Sequence, residues 1–444
     1  MPSTSLDKTF SSAGNRRTWT WSAWIKLGNN PTTSQSVFVG YTGSATQLGF
    51  SQLGFTSNKF YFSGWSYLWL QTTQVFRDPS AWYHFVVAVD TTQATADDRV
   101  KFYVNGSQIT DFDTRNNPSQ NDELAINAAV EHNLGSRDAL DTTDKFDGYM
   151  AHVHFIDGTT YDASAFGQTD STTGIWKPKL SPSVTYGTNG FFLKFASSGS
   201  MGTDSSGNGN DFTVGAGNLT QTQDTPSNVF ATWNPLDKDS VVTLTNANTT
   251  VTSNASGGST NCTLGMNSGK WYFEVKHTSV ASAWVGIVPQ NLYRAGTDLF
   301  TKNYTTGIYA SNPDIYQNGS NSGSLGGGIS TNDIMMYAID MDNNQIYIGK
   351  NGNWNDGLSG GFDQSSFSNA NAFSFNRYDD FYVVATVNGS GGSGYAHQIN
   401  FGNGYFGTTA VSSANSDGDG IGLFEYEVPS GYYALCTKNI NTYG

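Results

Sequence analysis

Two segments decide the fold of the first half of the chain: Trp82-Tyr-His-Phe-Val-Val-Ala-Val-Asp90 and Val100-Lys-Phe-Tyr-Val-Asn-Gly106. Both are rich in aromatic and β-branched residues, which favour pleated strands. The second segment ends in Asn105-Gly106, a pair that suits the two left-handed positions of a tight hairpin turn. Together they predict adjacent antiparallel strands and a hairpin.

Further short strands surround this pair. They are predicted at residues 19–26, 60–62, 67–70 and 146–156, with turn residues between them. In the first of them Trp19 and Trp21 share one face, and the alternation shifts through Ala23 to Trp24, which predicts a β-bulge. The last clear strand, Phe191-Phe-Leu-Lys-Phe195, brings the number to seven, and this many short strands predict an antiparallel sandwich.

A second series of strands begins near residue 226. It includes Gly269-Lys-Trp-Tyr-Phe-Glu-Val275, which alternates strictly, and a hairpin in which residues 333–340 lead through Asp342-Asn-Asn344 into residues 345–352. The series predicts a second sandwich.

The composition fits an all-β chain of two domains. Charged residues make up 13% of the 444 residues, against about 25% in ordinary soluble domains, while Gly reaches 50, Phe 28 and Tyr 23. No long run of helix-forming residues at period 3.6 occurs. We therefore predict two tandem antiparallel β-sandwich (jelly-roll) domains, residues 1–222 and 223–444. Residues 215–250, which are poor in large apolar side chains and contain Pro226 and Pro235, are predicted to be an extended connector.

The charge balance excludes one class of partner. The net charge is −14, and no Lys- or Arg-rich segment is present, whereas phosphate-backbone binding needs clustered basic residues. No stretch is long and apolar enough to enter a membrane, and no signal peptide is visible. Cys262 and Cys436 are expected to be free buried thiols rather than a disulfide.

The first half resembles the laminin G-like, concanavalin A-like jelly roll. The resemblance rests on Trp21-Ser-Ala-Trp24, on the two segments quoted first, and on Phe146-Asp-Gly-Tyr-Met-Ala-His-Val153. The segment Asp204-Ser-Ser-Gly-Asn-Gly-Asn-Asp211 is similar to one that in the family lies near the start of the domain. Here it follows the last clear strand, which implies a permuted domain closed by residues 190–214.

The second half resembles the SPRY domain, a β-sandwich that acts as a binding module. The resemblance rests on Gly269-Lys-Trp-Tyr-Phe-Glu-Val275, the hairpin after Asp333 and the late Gln398-Ile-Asn-Phe-Gly402. The tandem order, laminin G-like then SPRY-like, resembles virion proteins of bacteriophages. This implies an exposed location on a phage particle.

Two candidate sites follow. The resemblance implies calcium at the sandwich rim, and Asp204, Asn208, Asn210 and Asp211 offer hard oxygen ligands. The alternative is a tight turn that needs these residues for its backbone. Trp65, Tyr67 and Trp69 alternate, so they would line one sheet face as a sugar-stacking platform, or else fill the core.

No catalytic constellation is recognisable. His152 and His154 would share one strand face, which favours a partly exposed histidine pair, because no third metal ligand accompanies them. The adjacent carboxylates Asp97-Asp98 and Asp379-Asp380 point in opposite directions or lie in turns, which does not suit acid–base pairing. Asp417-Gly-Asp419-Gly420 is expected to be a turn.

The sequence therefore predicts a non-enzymatic structural or adhesive component of a phage particle (tail fibre, tail spike or capsid decoration). It would bind host-surface glycan or neighbouring virion proteins, form a homo-oligomer with a trimer favoured, and require no cofactor, with calcium as the one candidate. The alternatives are a polysaccharide depolymerase of a phage tail and a bacterial surface adhesin.

Overall fold

The computed structural model describes residues 4–137, 144–217, 219–280, 283–292, 296–378, 381–389 and 394–444. Asp379 and Asp380, one of the adjacent carboxylate pairs, lie outside the described residues. The chain divides into two compact units, Met1–Gln221 and Thr222–Gly444. Strands dominate both, as the all-β prediction requires.

The first unit contains sixteen strands in its described part. They are β1 (Ser5–Thr9), β2 (Thr18–Leu27), β3 (Gln35–Tyr41), β4 (Phe50–Thr56), β5 (Lys59–Gly64), β6 (Tyr67–Thr72), β7 (Trp82–Asp90), β8 (Val100–Val104), β9 (Ser107–Ile109), β10 (Phe112–Arg115), β11 (Glu131–Leu134), β12 (Gly148–Asp157), β13 (Gly167–Thr169), β14 (Trp176–Pro178), β15 (Phe191–Leu193) and β16 (Thr213–Ala216). Short 3₁₀ helices occupy Ala96–Asp98 and Ala163–Ala165.

Two antiparallel sheets face each other across the core of this unit. The eight-stranded sheet has the order β10-β6-β5-β4-β3-β11-β1-β16 and the six-stranded sheet the order β15-β12-β2-β7-β8-β9, counting described strands, while β13 and β14 form a separate pair. Large aromatic side chains from both sheets fill the space between them, such as Phe60 against Phe85 at 4.6 Å between ring centroids. The predicted hairpin after Val104 is present, with Asn105 and Gly106 both at positive φ.

The segment after β12 closes both sheets. Strand β15 pairs with β12 at the edge of the six-stranded sheet, and β16 pairs with β1 at the edge of the eight-stranded sheet. The segment 190–214, predicted to close the domain, thus contributes two strands, of which the second extends to Ala216.

Strand β2 is regular, so the bulge predicted at Ala23 was wrong. It pairs with β7 without interruption from Thr18 to Lys26, and Trp24 simply faces away from the central core. It is buried there against His84. The bulge lies instead in β12, between Ala151 and His154.

The second unit contains eighteen strands and one α-helix in its described part. They are β17 (Trp233–Lys238), β18 (Val242–Thr245), β19 (Thr250–Ser253), β20 (Ser259–Cys262), β21 (Lys270–Ser279), β22 (Ala283–Pro289), β23 (Thr306–Tyr309), β24 (Asp314–Gln317), β25 (Ser320–Ser324), β26 (Ile334–Asp340), β27 (Gln345–Lys350), β28 (Asn353–Trp354), β29 (Phe373–Ser374), β30 (Tyr382–Asn388), β31 (Tyr395–Asn400), β32 (Tyr405–Phe406), β33 (Thr409–Ala410), β34 (Tyr433–Ala434) and α1 (Thr437–Tyr443). Short 3₁₀ helices lie at Gly296–Thr301 and Phe367–Asn369.

This unit is also a sandwich. Its described strands form a seven-stranded sheet of order β17-β20-β30-β22-β23-β24-β25 and a nine-stranded sheet built on β18-β19-β31-β21-β26-β27-β28, with β29 and β34 attached. The predicted hairpin is present as β26 and β27. Trp271, Phe273 and Tyr337 lie in the core, the last two stacked at 4.8 Å.

The predicted connector, residues 215–250, was too long. Strands β17 and β18 lie within it, and Trp233 is fully buried in the core of the second unit. The low apolar content misled the prediction because one large side chain is enough to anchor an edge strand.

Both cysteines are free and buried, as predicted. Burial raises the pKa of the Cys262 thiol to about 12, so at neutral pH it is an unreactive thiol.

Candidate functional site

The three candidate aromatic residues do not share one face. Trp65 lies in the turn between β5 and β6 and Tyr67 begins β6, with 38% and 40% of their surfaces exposed, whereas Trp69 is fully buried in the core. The reason is a register shift between Phe62 and Ser63, where β5 meets β6. A bulge of this kind breaks the alternation of faces, so Trp69 turns inward against Phe62.

Trp65 and Tyr67 border an open pocket on the outer face of the eight-stranded sheet. The pocket has a volume of about 400 Å³, which lies in the range of ligand sites in proteins. Its lining residues are Ser34, Phe50, Gln52, Thr56, Tyr61, Ser63, Gly64, Trp65, Ser66, Tyr67 and Arg137.

The Trp65 indole is held in place by two neighbouring rings. Tyr41 stacks against it at 5.8 Å with an interplanar angle of 17°, and Phe50 meets it edge-on at 5.7 Å. The turn places Ser66 at φ 49°, a left-handed conformation that serine rarely adopts. Because Tyr41 covers one face of the indole, the exposed part of the ring can offer its other face to a flat ligand.

The floor of the pocket is polar and was not foreseen from the sequence. The Gln52 side-chain amide donates to the Tyr61 hydroxyl at 2.6 Å and to the Ser36 hydroxyl at 2.6 Å, and Tyr61 and Ser34 hydroxyls lie 2.7 Å apart. Gln52 and Tyr61 are buried, and burial raises the pKa of Tyr61 well above its usual range. The only sequence signal was the alternation of Gln52 and Tyr61 with core residues.

One ion pair lies at the rim of the pocket. The Arg137 guanidinium contacts the Asp144 carboxylate at 3.4 Å. The positive charge of Arg137 is therefore balanced locally.

The four calcium candidates form a hydrogen-bonded turn. Both Asp204 carboxylate oxygens accept hydrogen bonds, Oδ1 from the backbone of Phe192 and Ser206 and Oδ2 from the Ser206 hydroxyl and the backbone of Asn210. Asp211 accepts from the Asp204 backbone N–H. The Asp204 oxygens thus already have N–H and O–H donors where a cation would need them free.

The amide groups of the candidate turn also point the wrong way for a cation. Asn208 donates to the carbonyls of Gly187 and Gly190, and Asn210 donates to those of Thr188 and Gly190. Their nitrogen atoms, not their oxygens, face these acceptors. As it stands, the arrangement fits the turn and does not fit calcium.

We expect Asp204→Ala to lower the free energy of unfolding by roughly 2–3 kcal/mol, because it leaves four partly buried donors without their charged acceptor. Asp211→Ala, which removes one accepted bond, should cost about 1 kcal/mol. Denaturant unfolding with chelator and with millimolar calcium measures both. A calcium-dependent gain in stability that Asp204→Ala abolishes would restore the metal site.

A buried Ser–His pair is present in the first unit but is in the wrong protonation state for catalysis. The Trp176 indole N–H donates to His84 Nδ1 at 3.1 Å, so the proton of the neutral ring is on Nε2, 2.9 Å from the Ser22 hydroxyl. His84 therefore donates to Ser22 and cannot accept its proton. Burial also lowers the pKa of His84 to about 3.

The histidine pair was predicted to be partly exposed, and this holds for His152 but not for His154. His152 and His154 do share a face of β12, but His154 is fully buried, stacks on Phe192 at 3.9 Å and bonds to the Tyr186 hydroxyl. The sequence could not show this, because residues far along the chain cover that face.

The remaining polar candidates have structural partners. Asp97 and Asp98 pair with Arg115 and Lys101, and Asp417 caps a turn that includes Gly420. Among the described residues, no group of three or more His, Cys, Asp or Glu is placed to hold a metal ion. No helix in the described chain has the length and apolar character needed to span a membrane.

The first unit has a lectin/glucanase-like β-sandwich fold. Residues 5–164 match a family model described as the concanavalin A-like lectin/glucanases superfamily. The match covers the strands that build the pocket and ends before β15 and β16, the closing strands.

Solved structures give weaker likenesses. The SPRY domain of human HERC1 is 14% identical, with a TM-score of 0.30, covering 38% of this chain and 96% of that one. The TRIM65 PSpry domain is 13% identical at a TM-score of 0.30, covering 38% and 91%. A heptameric SAP-like pentraxin from Limulus polyphemus is 12% identical at 0.28, covering 36% and 72%. Likeness at this level carries no functional argument, and no curated protein matches the chain.

Proposed function

We propose that this chain is a non-enzymatic structural and adhesive component of a bacteriophage particle, exposed as a tail fibre, tail spike or capsid decoration, that binds host-surface glycan. The observation that carries the proposal is the pocket beside Trp65 and Tyr67. Exposed aromatic rings held rigidly above a polar floor suit sugars, whose C–H faces stack on rings while their hydroxyls form hydrogen bonds.

The particle location is supported by the sequence resemblance to tandem virion proteins alone. Immunogold labelling of intact particles tests it directly. Absence of turnover is supported by the wrong tautomer of His84, and release of reducing ends from host polysaccharide would contradict it.

Trp65→Ala should weaken glycan binding roughly thirtyfold, because loss of a central aromatic anchor costs about 2 kcal/mol or more. Titration calorimetry with oligosaccharides from the host surface measures the effect. The matched control is Tyr378→Ala, which removes a ring that is 65% exposed in the second unit, outside the pocket. Equal binding by the wild type and Trp65→Ala would rule out the pocket as the glycan site.

Several copies would make weak sugar contacts effective. We propose a homo-oligomer, with a trimer favoured, since linked sites raise avidity by roughly 10²–10⁴ without a new contact. Light scattering should give about three times the 47.9 kDa chain mass, and a monomer in solution and on particles would contradict the proposal.

A further inference from the structure

In the Gln52–Tyr61–Ser34 network of the pocket floor, one hydroxyl proton has no acceptor among the described residues. The Gln52 amide donates to the Tyr61 oxygen. Tyr61 and Ser34 then share one hydrogen bond, in which either atom is the donor. Two hydroxyl protons are present and this bond uses one of them, so the other remains, on Ser34 or on Tyr61, and both residues line the pocket.

The charges around the pocket favour a neutral ligand. The Arg137 charge is balanced by Asp144, and among the residues that the structure describes the pocket lining contains no second charged one. At longer range the net charge of −14 repels polyanions. The carboxylate of an acidic sugar would therefore add little favourable electrostatic binding energy compared with a neutral sugar.

We propose that the pocket binds a neutral pyranose of a glycan, stacked on Trp65, and that the Tyr61–Ser34 hydroxyl pair selects it by donating one hydrogen bond to a sugar oxygen. This inference rests on the proposed glycan binding and adds to it the ligand class and the selecting residue. Tyr61 is needed in either arrangement, because its hydroxyl donates to the ligand itself or holds the Ser34 hydroxyl that donates, while Gln52 holds the Tyr61 oxygen in place.

Tyr61→Phe tests the selecting role. It removes the hydroxyl and keeps the ring, and the Gln52 amide retains the Ser36 hydroxyl as an acceptor, so the fold should persist. Affinity for a neutral oligosaccharide should fall about two- to tenfold, the loss of one neutral hydrogen bond. The matched control is Tyr378→Phe, the same removal of a hydroxyl at an exposed ring of the second unit that does not line the pocket, and it should bind as the wild type does.

The experiment uses the full chain with two panels of defined oligosaccharides, one of neutral hexoses and N-acetylhexosamines and one of matching uronic acids. Neutral binding that is lost in Trp65→Ala and weakened in Tyr61→Phe supports the inference. Trp65-dependent binding that prefers uronic acids, or that is equal in Tyr61→Phe and Tyr378→Phe, overturns the inference and leaves glycan binding standing. Absence of Trp65-dependent binding in both panels overturns the proposed function itself.

Discussion

Acidification from pH 7 to pH 4 should unfold the first unit before the second. The first unit holds His84, His132, His152 and His154, and burial lowers the pKa of each, to about 3 for His84 and about 4 for His132 and His152. The unfolded chain therefore binds more protons below the ordinary pKa of 6.5, so stability falls as the pH falls from 6.5 towards 4.

The expected loss is comparable with the whole stability of a domain. A histidine whose pKa drops from 6.5 to about 4 loses roughly 3 kcal/mol of stabilisation over this range. His84 and His132, both fully buried, would together remove roughly 6 kcal/mol, against a typical total of about 5–15 kcal/mol. His132 shows the cause: Nδ1 lies 3.0 Å from the Val130 carbonyl, and Nε2 accepts the Asn127 N–H, so no site for a second proton is available.

In the second unit the carboxyl group of Glu274 opposes the effect of the buried histidines on acid stability. Burial lowers the pKa of His277 to about 4 and that of His397 well below its usual range. Burial also raises the pKa of Glu274 to about 7, despite the hydrogen bonds it accepts from the backbone of Glu425 and Tyr426. Since the folded state then binds a proton between pH 7 and 4.5, Glu274 stabilises the second unit on acidification and offsets part of the histidine effect.

Amide hydrogen exchange followed by mass spectrometry across this pH range reports on each unit within the full chain. His132→Gln, whose amide can replace both ring hydrogen bonds, should lower the midpoint of the first unit by about half a pH unit. The second unit serves as an internal control and should not shift. Earlier loss of protection in the second unit would contradict the prediction.

The sequence predicted what depends on local pattern and missed what depends on distant contacts. The hairpin at Asn105-Gly106 follows from turn chemistry, and it is present. Tyr67 and Trp69 are two residues apart, a spacing that predicts side chains on the same face of a strand. The bulge opposite Ser63 places them on different faces instead. A bulge is set by how two strands pair, which no single strand reveals.

The candidate site shows the same division. The exposed aromatic residues Trp65 and Tyr67 could be predicted from the sequence, because alternating large aromatic side chains are typical of a surface on which sugars stack. The floor could not, since Gln52, Tyr61 and Ser34 come from separate segments that only the sheet brings together. The burial of His154 likewise depends on Tyr186, which lies 32 residues away in the chain.

Trp271→Ala and Trp24→Ala should each destabilise one unit alone, by about 3–5 kcal/mol. Trp271 is fully buried in the core of the second unit, and its indole N–H donates to the Ser268 carbonyl at 2.8 Å. Trp24 is buried on the opposite side of its sheet from the core of the first unit, stacked on His84 at 4.9 Å. Truncation leaves a cavity the size of an indole in both places.

Differential scanning calorimetry of the full chain separates the two effects. For units of this size 1 kcal/mol corresponds to about 2–4 °C, so each variant should lower one transition by roughly 6–20 °C and leave the other in place. Trp65→Ala is the matched control, because the same truncation at a partly exposed turn should cost less than about 1 kcal/mol. If either core variant shifted both transitions together, the two units would not fold independently. A change below about 1 kcal/mol would mean that the tryptophan is not tightly packed.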